Sequence, residues 1–152
     1  MTAMLARYDA LAARLAARLP EGLALLLVRV ALAGVFWRSG RAKVAEGSWL
    51  TVSEQARSLF EYEYTGLPLP AALAAPLATY AEHLFPLLLV LGLFTRFSAL
   101  ALLVMTMVIQ TFVYPEAWWQ VHILWVAMAA VLLSRGGGAV SLDALLARAR
   151  GG

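Results

Sequence analysis

Residues 71–96 read AALAAPLATYAEHLFPLLLVLGLFTR, and they decide the class of the protein. The stretch is long enough to cross a bilayer as a helix at about 1.5 Å per residue against a hydrocarbon core of about 30 Å. Yet it carries Glu82 and His83 near its midpoint. Insertion scales charge about 2.5–3.5 kcal/mol for Asp, Lys or Arg at a helix centre. A carboxylate at such depth is paired, protonated or used. What Glu82 faces is therefore the functional question.

The rest of the chain agrees with a membrane reading. Only 14% of the 152 residues are charged and 62% are hydrophobic, against about 25% charged in soluble domains. Three more apolar stretches accompany the first. Together the expected spans are about 21–39, 71–94, 97–114 and 118–134, within one domain covering 1–152. Lipid leaves no backbone group a water partner, so each span must be a helix. None shows a charged face, as a surface helix of a soluble bundle would. The expected fold is an all-α membrane protein, a four-transmembrane-helix bundle with short amphipathic flanking helices. Pro86, one turn after Glu82, predicts a kink there.

Lys and Arg placement gives an orientation. Arg7, Arg14, Arg18, Arg96, Arg135, Arg148 and Arg150 fall on one side. Arg38, Arg41, Lys43 and Arg57 fall on the other. The positive-inside rule then puts both termini in the cytoplasm. Arg29 interrupts the apolar run before Ala31-Leu32-Ala33, so the first span is expected to be uncleaved. The sequence has no cysteine, which excludes disulfides, thiolate metal sites and CxxC redox chemistry. No basic run suited to nucleic acid is present.

The flanks and the first loop have their own patterns. Residues 3–19 place Leu5, Tyr8, Leu11, Leu15 and Leu19 on one side and Arg7, Arg14 and Arg18 on another. This is a basic amphipathic helix, lying in the interface or docked on the bundle. Ser141 is a good N-cap for residues 141–150, with Asp143 in the first turn. Gly136–Gly138 reads as a flexible hinge before it. In the long loop of residues 40–70, residues 51–64 form a partly amphipathic helix with Val52, Leu59, Phe60 and Tyr64 on its apolar side. Gly66 and Pro68 end it.

The polar residues inside the spans are the candidate site. Arg29 in the first span and Glu82 in the second would lower each other's burial penalty as an ion pair. His83 lies about 100° around the helix from Glu82, so one of the two would face the bundle and the other a neighbouring helix or the lipid. Its reading as a histidine satisfied by a backbone carbonyl or a hydroxyl is the preferred one. Gln110, His122 and Trp125, with Trp37, Arg38, Lys43 and Tyr114, gather at the outer ends of the spans. They would line a vestibule with Glu82 at its floor and His122 as its acid–base or ligand group. The competing reading is interface anchoring by the aromatics. No metal site, phosphate loop or nucleophile elbow is expected.

The motifs resemble a known family. Arg29 followed by Phe36-Trp37-x-Ser39-Gly40-x-x-Lys43, and Glu82 followed by Pro86-x₅-Gly92-Leu93-x-Thr95-Arg96, are similar to the signatures of the DoxX family. Leu59-Phe60-x-x-Glu63-Tyr64, residues 110–115 (QTFVYP), His122-x-x-Trp125 and Ser141-Leu142-Asp143 resemble its HvfX-like subgroup. That subgroup is encoded beside bufferin-type copper-binding peptide genes and their modifying enzymes. The resemblance implies a four-span inner-membrane protein. Some DoxX relatives belong to membrane redox systems, such as thiosulfate:quinone oxidoreductase and an oxidative-stress complex with superoxide dismutase.

Three functions follow as expectations. The first is an accessory protein, not an enzyme on its own, that partners a peptide-maturation, metal-stress or redox system. The second is a quinone- or electron-transfer-linked subunit in which Glu82 manages a proton, with quinone as its cofactor. The third is a small transporter, with small-residue stretches such as residues 31–34 and 127–130 allowing a homo-oligomer. The lipid bilayer is a partner in all three.

Overall fold

A computed structural model describes residues 2–18 and 20–151, with no side-chain description for residues 2, 3 and 14–18. Its elements are α1 (Thr2–Arg18), α2 (Glu21–Arg41), α3 (Glu54–Ser58), α4 (Ala71–Leu91), α5 (Thr95–Phe112), α6 (Ile123–Arg135) and α7 (Leu142–Arg150). A π-helical turn, Leu59–Glu63, prolongs α3. A second, Trp118–His122, leads into α6. Helices over Glu21–Arg41, Ala71–Leu91, Thr95–Phe112 and Pro115–Arg135 are long and apolar enough to cross a membrane. The four-span, all-helical expectation holds, with span ends moved by a few residues.

The spans run up and down. The tight turn between α4 and α5 is set by Gly92 (φ 67°) and Phe94 (φ 49°), both left-handed. A Schellman-type bond, Leu93 N to Leu88 O at 3.0 Å, closes the helix end, as expected where a glycine follows the last turn. One end of the bundle therefore holds the α4–α5 turn, α7 and the start of α2. The other, here the loop end, holds residues 42–70 and 113–122. Glu21 and Arg135 meet at 3.1 Å, joining the start of α2 to the end of α6.

Apolar residues occupy both the inside and the outside of the spans. Leu25, Leu32, Ala33 and Phe36 of α2, Leu89 of α4, Ala99 and Leu102 of α5, and Ala129 and Leu132 of α6 form the main core. Leu27, Leu77, Leu84, Leu87, Leu100, Val104 and Leu124 are exposed on the bundle's outer surface. A helix that is apolar all round suits lipid on its outer face.

A second, smaller core lies at the loop end. Val52, Ala56 and Phe60 pack on Ala74 and Ala75 of α4. Ser53 caps α3 through Ala56 N at 3.1 Å, and an isolated bridge joins Val44 to Val52. The long connection is thus a layer folded against the first turns of α4. Val52 and Phe60 are buried as expected, but the helix starts at Glu54 and passes into a π turn.

Two expectations are corrected here. Gly136–Gly138 is a packed connector, not a flexible hinge. Gly137 is buried, and a Cβ there would stand 2.7 Å from Thr95 Oγ1, while one on Gly138 would stand 2.9 Å from Leu25 Cδ1. The glycines permit close backbone approach, which rigidifies the segment. Along α1, Met4–Ala13 are all exposed, so this part of the helix is not docked on the bundle. Of the faces expected for α1, the side chains of Arg14, Leu15 and Arg18, and Leu19 altogether, lie outside the described residues. The helix of α4 continues through both Pro76 and Pro86.

Candidate functional site

Glu82 is buried, and its partner is Lys43. Lys43 Nζ donates to Glu82 Oε2 at 2.7 Å, with side-chain exposures of 12% and 3%. The same ammonium donates to Ser39 Oγ at 2.7 Å and to Ser39 O at 3.3 Å. Three N–H groups thus meet three acceptors, the full capacity of a lysine. Ser39 lies in the last turn of α2 and Lys43 in the turn just past its end, so the helix terminus presents both to the carboxylate.

This corrects the expected Arg29–Glu82 pair. Arg29 is buried elsewhere, with Nη2 donating to the carbonyl of Val140. Its Nη1 lies against Gly92. Gly92, which caps the end of the same helix, is ten residues beyond Glu82, about 15 Å along the axis. Antiparallel packing sets this register: Gly40, eleven residues after Arg29 on α2, sits against Glu82 and His83. The two charges are at different heights and do not share one path.

Gly40 also explains why Glu82 and His83 are both buried, contrary to the expectation that only one would face the bundle. A Cβ on Gly40 would come within 2.9 Å of the His83 ring and 3.1 Å of Glu82 Cβ. The missing side chain lets α4 approach so closely that two adjacent residues straddle one position of α2. His83 Nδ1 is 2.7 Å from Thr79 O. A carbonyl only accepts, so Nδ1 carries the proton, which matches the backbone-satisfied reading. Nε2 has no partner among the described residues. The ring of Trp37 meets His83 edge-on at 5.0 Å.

Gln110, His122 and Trp125 form a separate cluster between α5 and α6. His122 Nδ1 donates to Gln110 Oε1 at 2.6 Å, and Gln110 Nε2 donates to Pro115 O at 2.7 Å. The Trp125 ring lies between those of His122 (5.0 Å) and Phe36 (5.4 Å), tilted 54° and 60° to them. The cluster ties the turn before α6 to α5. Arg38 is exposed, and Tyr114 reaches Tyr64 hydroxyl to hydroxyl at 3.2 Å.

An open groove of about 780 Å³ lies at the loop end, beside Lys43 and Ser39. Its walls come from α3 and its π turn, including Glu54, Leu59, Tyr62, Glu63 and Tyr64. Neither Glu82 nor His122 lines it. The buried pair communicates with the groove only through Lys43. Burial and the hydrogen bond with Tyr114 raise the pKa of the Tyr64 phenol.

The family profile described as DoxX matches residues 24–115, from the first residues of α2 to the turn after α5. That range takes in Lys43, Gly40, Glu82, His83 and the groove. The chain belongs to the DoxX family. A protein of Haemophilus influenzae, described only as an uncharacterized protein, is 30% identical over 141 residues, covering 83% of this chain and 85% of the relative. No solved structure matches. The family match with the four spans makes this a membrane protein.

Sequence reasoning missed the pairing of Lys43, though it named the residue. The signal was the spacing Ser39-Gly40-x-x-Lys43, which puts a small residue, a hydroxyl and a cation at one helix end. Tyr64 and Thr79 were also missed as partners of Tyr114 and His83.

Proposed function

We propose that this chain is an accessory protein of the bacterial inner membrane, multi-pass with both termini cytoplasmic. It partners a peptide-maturation, metal-stress or redox system, consistent with its HvfX-like motifs and the copper-binding bufferin-type peptides of that subgroup. The observation that supports this is the layer between Arg41 and Ala71, with its own small core and an open groove of about 780 Å³ over the Lys43–Glu82 pair. Spanning a bilayer needs only short turns between helices, whereas long ordered connections carry function. A partner segment lying in the groove would meet Tyr62, Leu59 and the carboxylates of Glu54 and Glu63. Native purification with the neighbouring gene products tests the idea. Co-purification should be lost in a Tyr62→Ala, Glu63→Ala double variant. A protein that always purifies alone, with no phenotype shared with those genes, refutes it.

A second reading is a quinone-linked subunit. The observation in its favour is a buried carboxylate–ammonium pair beside a groove carrying two tyrosines. In that reading the pair manages the proton that accompanies quinone chemistry. Solvent extraction of the purified protein should release a quinone that Glu82→Gln no longer retains. Absence of quinone from both preparations removes this reading.

A further inference from the structure

Two helices at the end of the bundle that carries the termini have exposed apolar faces. Along α1, residues 4–13 are all exposed. At about 100° per residue, Met4, Leu5, Tyr8 and Leu11 fall within an arc of about 120°, and Arg7 stands about 40° beyond its edge. Each of the four is more than half exposed. The opposite side carries Ala6, Ala10 and Ala13. In α7, Leu142, Leu145 and Leu146 share an arc of about 100°, bordered on its two sides by Arg148 and Arg150. All five side chains are exposed. Water is a poor neighbour for so many large apolar groups on two short helices.

The connections set the depth of both helices. Two residues separate the end of α1 from Glu21, where the first span starts. They reach about 11 Å at full extension, so α1 leaves the bundle within or beside the headgroup layer. The first turn of α7 is fastened to the α4–α5 turn, where two spans end. Asp143 N donates to Gly92 O at 2.9 Å, and the Asp143 carboxylate accepts from Phe94 N at 2.8 Å and Thr95 N at 2.9 Å. Phe94 and Phe97, beside this junction, are exposed on the outer surface of the spans. The apolar face of α7 thus starts where the lipid-facing surface of the bundle ends.

Charge selects the kind of lipid. The segments at this end carry seven arginines besides the buried Arg29, against three side-chain carboxylates, Asp9, Glu21 and Asp143. Glu21 is taken by Arg135 at 3.1 Å, and Asp143 by the backbone N–H groups of the turn. Arg7, Arg148 and Arg150 are exposed and form no ion pair with a described carboxylate. Each stands at the edge of an apolar arc. An arginine there lays its stem along apolar surface and keeps its guanidinium at the level of phosphate oxygens.

We propose that α1 and α7 lie in the membrane–water interface as a collar around this end of the bundle, and that their arginines bind the phosphates of anionic phospholipids. Leucines and tyrosine enter the acyl boundary, and the arginines at the edges of the arcs supply the preference for negative headgroups. The collar holds the two terminal helices by lipid rather than by protein contacts, which is why their side chains stand clear of the bundle.

The absence of cysteine makes the test clean, because one introduced cysteine takes one nitroxide label. Tyr8→Cys and Leu145→Cys place labels in the apolar arcs, and Ala13→Cys and Ala147→Cys place them on the opposite sides. All four positions are exposed, so the labels leave the fold intact. The full-length protein is placed in nanodiscs of phosphatidylcholine, with or without phosphatidylglycerol. Collision of each label with oxygen, which enters lipid, and with a water-soluble nickel chelate is read by power-saturation electron paramagnetic resonance. The oxygen-to-nickel ratio should be several-fold higher at Tyr8 and Leu145 than at Ala13 and Ala147. Phosphatidylglycerol should widen the contrast, and the triple variant Arg7→Ser, Arg148→Ser, Arg150→Ser should remove that widening. Equal nickel access at all four positions overturns the proposal, as does a pattern indifferent to phosphatidylglycerol. Shielding of the Tyr8 and Leu145 labels from both reagents, the mark of a protein partner or a second copy, overturns it too.

Discussion

Lys43 and the buried Glu82 form an ion pair at 2.7 Å that joins the end of α2 to the middle of α4. Removing one partner leaves the other charge buried and unpaired, at about 3–5 kcal/mol. Lys43→Met should therefore destabilise the protein strongly, because Glu82 is the more enclosed of the two. The double variant Lys43→Met, Glu82→Gln should lose much less than the sum of the single variants. Denaturant or thermal unfolding of the four proteins in one detergent measures this.

Gly40 is where α4 comes closest to α2. Gly40→Ala places a methyl group 2.9 Å from the imidazole of His83. Overpacking of this kind costs about 1–3 kcal/mol. The expected outcome is a lower unfolding midpoint and lower steady-state abundance in the membrane. Gly34 provides the contrast, because a Cβ there meets nothing within 4 Å. Gly34→Ala should be neutral or stabilising by up to about 1 kcal/mol, through helix propensity.

Gly92→Ala should be among the most damaging glycine replacements. The residue has φ 67°, and its Cβ would run into Arg29 and Ser141. Strain and collision act together, so this variant should lose more stability than Gly40→Ala in the same unfolding assay.

Asp143 fastens the last helix to the α4–α5 turn. Asp143→Ala removes two charge-assisted bonds to Phe94 N and Thr95 N, each worth about 1.5–3 kcal/mol at most. Residues 136–150 should then be cleaved faster in limited proteolysis, with the four spans intact.

Tyr64 ionises above the ordinary tyrosine range because of burial and its bond to Tyr114. The native state therefore keeps a proton that the unfolded chain loses at about pH 10. Stability is full below that pH and falls as pH rises above it. Tyr64→Phe should flatten this alkaline fall, read from unfolding midpoints between neutral and strongly alkaline pH.

The four spans, the capping Ser141 and the cost of burying Glu82 are all present in the sequence. Hydropathy, helix period and capping act over a few neighbouring residues, so they are legible one segment at a time. The partners of the buried charges depend on how far antiparallel helices slide past each other and where the connecting segments return. Only the tertiary structure decided that Gly40 sets α2 against Glu82 and His83, which gives Glu82 to Lys43. The same register leaves Arg29 about 15 Å away along the helix axis, under the packed glycines that a single sequence presents as a hinge.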